Sequence, residues 1–254
     1  MGDRGRVSEV ENAGKWKSNE QDLGGHITND RQLRGLISYL VFLCLNTIWR
    51  NMSIWKELRK RGDISVLDVG CGKRSSISKL VRHYKFNTIG LDIFEPSVRE
   101  AKNNGIYQDV IVGDARHLPF KDEEFDLVAG IEVIEHAERE DGEKMLAELE
   151  RVSRWLVLIT TPIGECVQHS YAGNPFQEHK HTWSLEELRV RGFTIRGKGI
   201  KGIAEGDKWR LPFPMFMRPF QYAIYIVGTL FSYFIPAIAG SVVVWKRLEP
   251  VNGR

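Results

Sequence analysis

The chain has 254 residues, of which 42% are hydrophobic, and a formal net charge of +3 at pH 7. This length and apolar content are enough for one sizeable domain with its own core. Positive and negative side chains are nearly balanced, at 36 against 33, so the charge does not indicate a nucleic-acid partner. Cys44, Cys71 and Cys166 are too widely spaced for a disulfide framework, which favours a reducing, cytoplasmic location.

Two segments precede the first predicted strand. Residues 1–33 are polar and lack periodicity, which predicts a disordered tail. Residues 36–49 are apolar and uncharged but short for a membrane span, so we expect a packed helix that continues to Arg61 and ends at Gly62. The folded domain is therefore expected to cover residues 34–248.

From residue 65 onward, strand-like and helix-like segments alternate. Short apolar or β-branched runs predict six strands, at residues 65–69, 87–91, 109–112, 125–129, 155–160 and 193–197. The predicted helices are 75–84, 96–103, 141–152 and one that opens with the capping box Ser184-Leu-Glu-Glu187 and ends at Gly192. This alternation predicts an α/β fold with a doubly wound, mostly parallel sheet and right-handed crossovers.

Ligands of such a sheet bind at the carboxyl ends of its strands. The first predicted strand ends in Asp68-Val-Gly70-Cys71-Gly72, and the second ends at Asp92, 20 residues beyond Gly72. A carboxylate at that position can accept hydrogen bonds from both hydroxyls of a ribose. NAD and S-adenosylmethionine both carry this ribose, so Asp92 alone does not choose between them.

The glycine loop and the third strand separate these two nucleotides. The dinucleotide fingerprint needs Gly or Ala where this chain has Ser75, and the Walker phosphate-binding pattern is absent. After the third strand, Asp114 can accept a hydrogen bond from an adenine amine, and the Ala115 N–H can donate to a ring nitrogen. These features favour an adenosyl group joined to an amino acid. An NAD-dependent oxidoreductase and a non-catalytic adenosyl-binding or membrane-tethered protein remain alternatives.

Four motifs carry a family resemblance. VLDVGCG, IGLDIF, VGDARHLPF and FDLVAGIEVIEHA, in this order over about residues 62–162, resemble the class I S-adenosylmethionine-dependent methyltransferases. The resemblance is to the type 11 group in particular, which includes the ubiquinone-pathway methyltransferases. It implies a Rossmann-like methyltransferase fold with seven strands, the last antiparallel beside strand five. The C-terminal part, from NPFQEHKHTW to RGF, resembles a branch linked with surface-glycan pathways.

The resemblance also implies roles for single residues. The glycine turn would line the methionine moiety, Asp92 would hold the ribose, Asp114 and Ala115 the adenine, and Ile131 with Glu132 the floor beside the methyl group. The cofactor-binding set implied in this way is Asp68, Gly70, Cys71, Gly72, Asp92, Ile93, Asp114, Ala115 and Ile131. An ordinary tight turn is the alternative for the two glycines, and Asp126 is expected to order the fourth strand instead of touching the ligand.

Candidate catalytic side chains follow the fourth and fifth strands. His136, Glu132 and His181 are the candidates for removing a proton from an oxygen or nitrogen acceptor. Glu132, Glu135 and His136 repeat the ExxEH spacing that looks like the divalent-metal site of some ubiquinone-pathway O-methyltransferases. Acids at a helix start and a packed histidine explain the same residues, so a divalent metal is possible but not favoured.

A second group of histidines lies in the sequence QEHKHTW. His179 and His181 alternate on an extended segment and are expected to face the same way. With Gln168, Tyr171 and Trp183 they are expected to form a lid over the acceptor pocket. Surface loop histidines and a His-x-His zinc site are the alternatives.

The C-terminal region is apolar. Residues 219–245 contain no charged residue and are long enough to span a bilayer. Pro236 and Gly240 interrupt the segment, and VVVW is typical of a strand. The resemblance implies a helix over 219–233 and the final strand over 241–245. We expect an apolar helical insertion at about 211–235 that can contact a membrane peripherally, and an acceptor that is a small molecule or linked to a lipid or glycan.

Overall fold

The computed structural model describes residues 63–73, 86–164, 167–170, 173–201, 204–205, 208–209 and 218–248. They all belong to one unit, Glu57–Arg254. The predicted tail at 1–33, the helix at 36–61 and the helix at 75–84 lie outside the described residues. These elements and the domain boundary at residue 34 stay predictions.

Seven of the nine strands in the described residues form a single sheet. In chain order the strands are β1 Ser65–Val69, β2 Asn87–Asp92, β3 Asp109–Val112, β4 Phe125–Ile131, β5 Ser153–Pro162, β6 Thr194–Lys198, β7 Ala204–Glu205, β8 Lys208–Trp209 and β9 Ser241–Arg247. The sheet order is β3-β2-β1-β4-β5-β9-β6, and β7 pairs with β8 in a separate ribbon. Strands β1 to β5 are parallel, and β9 is antiparallel to both of its neighbours. The predicted seven-stranded sheet with an antiparallel last strand is confirmed.

The described helices are α1 Glu95–Lys102, α2 Arg139–Val152, α3 Leu185–Val190 and α4 Arg218–Phe234. The predicted capping box of α3 is confirmed. The Ser184 hydroxyl accepts from the Glu187 backbone N–H at 3.1 Å, and the Glu187 carboxylate accepts from the Ser184 N–H at 2.9 Å. These reciprocal bonds satisfy two backbone donors that the helix start would otherwise leave unpaired.

The core lies around the central strands. Strands β1, β4 and β5 are near-continuous apolar runs because they are covered on both faces, as parallel strands usually are. Helix α2 buries Met145, Leu146, Leu149 and Val152 in the main apolar cluster. The spacing of these four residues predicted this buried face.

The uncharged C-terminal segment folds as a helix followed by a strand. Helix α4 ends at Phe234, and β9 begins at Ser241, so the expected helix and final strand are both confirmed. Helix α4 lies directly against β6, since a Cβ atom on Gly197 would collide with the carbonyl oxygen of Ser232. Among the residues that the structure describes, no helix combines the length and apolarity needed to cross a membrane.

Asp126 joins the start of β4 to the start of β1. Its Oδ2 accepts hydrogen bonds from the Ser65 backbone N–H at 3.0 Å and the Ser65 hydroxyl at 2.9 Å. Arg154 donates to the other oxygen, Oδ1, at 2.8 Å. These bonds confirm that Asp126 orders the strand, and they fix the edge of the sheet opposite the carboxyl ends.

We expect Asp126→Ala to lower the free energy of unfolding by about 2 kcal/mol, because charged hydrogen bonds are lost and the Ser65 N–H is left without its acceptor. Denaturant unfolding measures this change. The matched control is Asp122→Ala, which removes an exposed carboxylate paired with Arg151 and should cost no more than about 0.5 kcal/mol. Equal losses in the two variants would contradict the structural role of Asp126.

Candidate functional site

A cleft opens at the carboxyl ends of β1, β2, β3 and β4. Including its open mouth it encloses about 840 Å³. Gly70, Asp92, Asp114, Glu132 and His136 all line it. The two carboxylates that sequence analysis assigned to one nucleoside therefore share one cleft beside the glycine turn.

The turn after β1 requires glycine. Gly70 has φ +68°, and a Cβ atom there would collide with the side chain of Val133. The N–H groups of Gly70 and Cys71 both donate to the Leu91 carbonyl, at 2.7 and 3.0 Å, which ties the turn to the end of β2. Only a residue without a side chain lets the backbone pass this closely beneath the cleft.

Asp92 is held by the backbone on both sides. Its Oδ2 accepts from the Gly72 N–H at 2.7 Å, and its Oδ1 accepts from the Phe94 N–H at 2.8 Å. An ionised carboxylate offers about four lone-pair sites, so two remain for a ligand. Burial raises the pKa of Asp92 above its ordinary value, and the hydrogen bonds from Phe94 and Gly72 act in the opposite direction.

Two residues of the predicted set lie behind the turn. Asp68 is fully buried in β1, and its Oδ2 accepts from the Tyr107 hydroxyl at 2.7 Å. Cys71 is buried in a small apolar cluster, where desolvation, and then the charges of Asp68 and Asp92, raise the pKa of its thiol. Neither side chain is among those lining the cleft, so their part in binding stays a prediction.

Arg116 is a cleft residue that the sequence reasoning missed. Its Nε and Nη2 donate to both oxygens of Asp114, at 3.0 and 2.6 Å, and its Nη1 donates to Asp141 at 2.7 Å. The hydrogen bond from Arg116 keeps the pKa of Asp114 below its ordinary value. The Arg116 bonds hold the Asp114 carboxylate in place beside the cleft, and its contact with an adenine amine stays a prediction. The signal in the sequence was the Asp-x-Arg pattern directly after β3.

The remaining predicted binding residues are partly in the cleft. Ile93 and Ala115 line it, whereas Ile131 pairs with Thr160 at the end of β4 and does not. The next residue, Glu132, lines the cleft with a left-handed backbone, φ +56°. A non-glycine residue in this conformation stores strain, and such strain collects at functional sites.

Glu132 and Glu135 lie at the same wall of the cleft. Thr160 donates to Glu132 Oε1 at 2.8 Å, and Thr161 donates to Glu135 Oε2 at 3.2 Å. Complete burial, and then the charge of Glu132, raise the pKa of Glu135 well above its ordinary value. Glu135 is therefore harder to ionise than an ordinary glutamate, whereas Glu132 faces the open cleft.

His136 is arranged to accept a proton. Its Nδ1 lies 3.1 Å from the Glu178 carbonyl oxygen, which accepts only from an N–H, so Nε2 carries the free lone pair. Burial lowers the pKa of His136 below its ordinary value, and the neighbouring His179 ring adds to the effect. The neutral ring is therefore the resting form at neutral pH.

His181 does not line the cleft. Its ring packs against Trp183 with centroids 5.0 Å apart, and Trp183 is buried with its indole N–H donating to the Ile134 carbonyl. The backbone N–H groups of Lys180 and His181 both donate to the Glu135 carbonyl, which orients this segment. Trp183 was predicted to form part of a lid, but its side chain is buried in the core. Tyr171, another predicted lid residue, lies outside the described residues.

The segment before His181 supplies a cleft wall that sequence analysis did not identify. Its lining residues are Asn174, Phe176, Gln177 and Lys180. Asn174 organises the turn, because its side chain accepts from the Phe176 N–H at 2.9 Å. Gln168, one of the predicted lid residues, donates to the Gln177 carbonyl at 2.8 Å and so supports this wall from outside.

One group of described residues can hold a metal ion. Possible ligand atoms of Glu135, His136 and His179 all lie within 4.8 Å of one another. The metal site considered from the sequence consisted of Glu132, Glu135 and His136, so it had Glu132 where the structure has His179. Carboxylate and imidazole ligands suit several divalent ions. The expectation that the site works without a metal stays a prediction.

Comparisons with known proteins agree with this geometry. Residues 67–155 match the family model described as "Methyltransferase domain". The chain is 37% identical over 95 residues to norajmaline N-methyltransferase of Rauvolfia serpentina, covering 35% of this chain and 32% of that protein. It is 31% identical over 115 residues to the tRNA (carboxymethyluridine(34)-5-O)-methyltransferase of Arabidopsis thaliana, covering 44% of this chain and 27% of that protein. The chain thus spans about a third or less of the length of these two curated relatives.

The fold has a match among solved structures. The crystal structure of a SAM-dependent methyltransferase from Archaeoglobus fulgidus superposes with a TM-score of 0.52 at 17% identity, covering 88% of this chain and 99% of that one. This likeness shows the fold, and the family model covers the motifs that build the cleft. The likeness to ubiquinone-pathway enzymes stays a prediction. Residues 67–155 therefore match a methyltransferase domain, and the described sheet has the fold of a solved SAM-dependent methyltransferase.

Proposed function

We propose that this chain transfers a methyl group from S-adenosylmethionine to an acceptor bound in the same cleft. The observation that carries the proposal is the meeting of Gly70, Asp92 and Asp114 with Glu132 and His136 around one opening. The first three residues suit an adenosyl donor without phosphate, and the last two suit an acceptor that loses a proton. A cytoplasmic location, expected from the cysteine content, belongs to the same proposal.

The fit to the donor rests on the glycine turn and on Asp92. The turn brings the backbone close to the cleft, and a Cβ atom at Gly70 has no room. Asp92 is fixed by two N–H groups before any ligand binds, so little order is lost when it meets two ribose hydroxyls. When bound, the donor would supply a methyl group on a positively charged sulfur. The acceptor's lone pair would form a bond to the methyl carbon in line with the carbon–sulfur bond, whose electron pair would leave with the sulfur as a neutral thioether.

On the acceptor side, the protein aligns the acceptor and accepts its proton. His136 presents a neutral ring whose orientation is set by the Glu178 carbonyl. Glu132 adds a carboxylate beside it, held by Thr160. Alignment and exclusion of water are the main contributions that a protein makes to such a displacement.

The acceptor class is proposed as a small molecule or a molecule linked to a lipid or glycan. The cleft wall supports this class because it combines the aromatic Phe176 with the polar Asn174 and Gln177 and the charged Lys180. One matched relative is named as a tRNA methyltransferase and another as an N-methyltransferase of a small molecule. A nucleic-acid acceptor is therefore a second outcome to be tested beside the proposed class.

We expect calorimetry to show binding of S-adenosylmethionine, and of its demethylated product, but not of NAD. The cleft offers a ribose-binding carboxylate without a phosphate loop, so the pyrophosphate of NAD gains no contacts. Incubation of cell extract with a methyl-tritiated donor then identifies the labelled product as small molecule, lipid or RNA. Binding of NAD alone would favour the oxidoreductase, and donor binding without any labelled product would favour a non-catalytic role.

We expect Asp92→Ala to weaken donor binding by about 2–4 kcal/mol, because a charged acceptor is removed from two hydroxyls. This corresponds to an increase of roughly 30- to 1,000-fold in the donor Kd. Asp92→Asn keeps an oxygen acceptor, so its donor Kd should lie between those of the wild type and Asp92→Ala. Asp109→Ala, which removes an exposed carboxylate of β3, is the matched control and should bind normally. An unchanged Kd in Asp92→Ala would remove this residue from the site.

We expect kcat/KM to stay level as the pH falls through neutrality and to decline only below about 6.5, the ordinary histidine value. The reason is that neutral His136 is the active form and burial lowers its pKa. His136→Gln should abolish this decline and reduce kcat by about 10²- to 10⁴-fold. His169→Gln, at an exposed histidine, is the control. An unaltered pH profile in His136→Gln would show that another group accepts the proton.

A further inference from the structure

Helix α4 and the turn after it carry a concentrated apolar surface. Of the twelve exposed large apolar side chains among the described residues, seven lie between residues 220 and 238, with exposed fractions of 41% to 77%. We call these seven the apolar ridge: Phe220, Val227, Leu230, Phe231, Phe234, Ile235 and Ile238. Their spacing of three, four and seven residues places most of them on one stripe of the helix.

From residue 227 to residue 234, where every side chain of the helix is described, the buried face is small and partly polar. Gly228, Thr229 and Ser232 are buried, and a Cβ atom on Gly228 would collide with Ile200. Ser232 is fully buried against the strand β6, where Gly197 makes room for it. A surface helix in water normally buries its large apolar residues and exposes its polar ones. Residues 227–234 do the reverse, which indicates an apolar medium on the outer side of this part of the helix.

The segment that carries the ridge has an excess of basic residues. Residues 208–248 include five Lys and Arg and no Asp or Glu, and Asp207 and Glu249 lie directly outside this range. Lys201 lies beside the ridge, since its backbone N–H donates to the Ile238 carbonyl at 2.9 Å. Basic residues next to exposed aromatic and aliphatic side chains complement an anionic lipid surface.

The N-terminal part of the ridge, with Phe220 and Val227, lies toward the edge of the sheet where the cleft opens. Strand β6 is parallel to β5, because both are antiparallel to β9, so its carboxyl end is on the cleft side. Ser232 meets Gly197 within β6, and Gly228 meets Ile200 beyond its end. The helix therefore runs back along β6, and its first ten residues, about 15 Å of helix, lie past the carboxyl edge.

We propose that the apolar ridge docks this protein on an anionic lipid bilayer. The aromatic and aliphatic side chains enter the boundary between headgroups and acyl chains, and Lys201 contacts the headgroups. Docking does not depend on methyl transfer. If the proposed function also holds, this orientation brings the cleft edge toward the bilayer, where a lipid-linked acceptor would be presented.

The test is sedimentation of the full chain with vesicles, without donor or acceptor. Binding is expected to vesicles of phosphatidylcholine containing about one third phosphatidylserine or phosphatidylglycerol, and to fall about tenfold for phosphatidylcholine alone. The double variant Phe231→Ser with Phe234→Ser should reduce binding to the anionic vesicles by at least about tenfold. Lys201→Glu should reduce it by about tenfold on anionic vesicles only.

The matched control is Val167→Ser with Val190→Ser, which removes two apolar side chains that are each 79% exposed elsewhere on the surface. It should bind vesicles normally. Thermal unfolding establishes that every variant is folded, and light scattering without lipid gives the oligomeric state.

Equal binding by the ridge variant and the wild type would overturn the proposal. So would a wild-type dimer that the ridge variant converts to monomer, because a second copy would then cover the ridge. Neither result bears on donor binding or turnover.

Discussion

The site depends on the hydrogen bonds that join the turn after β1 to the end of β2. The N–H groups of Gly70 and Cys71 converge on the Leu91 carbonyl, and the Gly72 N–H donates to Asp92. These bonds use backbone groups at the ends of parallel strands, which would otherwise be unpaired. They also place a buried carboxylate, already oriented, beside the place where the backbone approaches the cleft most closely. A side chain at Gly70 would separate the two strand ends and open this arrangement.

The wall of the cleft that follows β4 contains acids and histidines, and burial shifts the pKa values of Glu135 and His136. Glu135 is fully buried, which raises its pKa well above the ordinary value, whereas Glu132 faces the cleft with a strained backbone. The Glu135 carbonyl anchors the segment that carries Lys180. One short stretch after β4 thus carries His136 and also anchors the segment that forms another wall of the cleft. This dependence explains why the motif tolerates strain that an ordinary loop would relieve.

Local patterns predicted much of the fold because they depend on short-range physics. The capping box at Ser184 and the buried face of α2 were predicted from residue spacing alone, and both are confirmed. The pairing of Asp114 with Arg116 and Asp141 was not predicted, because Asp141 is 25 residues away and meets Arg116 only in the folded chain. His181 was placed at the acceptor from the alternation of an extended segment. In the structure its ring packs on Trp183. The alternation of side chains along an extended segment does not predict such a packing contact.

The sequence by itself determined the order of strands and helices, the glycine turn and the acids at the strand ends, because each rests on neighbouring residues or on the rule that ligands bind at carboxyl ends. It also fixed the absence of charge in residues 219–245. Only the tertiary structure decided which face of that segment is exposed. Gly228 and Ser232 pack against Ile200 and β6, and the large apolar side chains turn outward as a consequence. The physical reason is steric, since close approach of a helix to a strand edge selects small residues for the contact, whatever the hydrophobicity of the others.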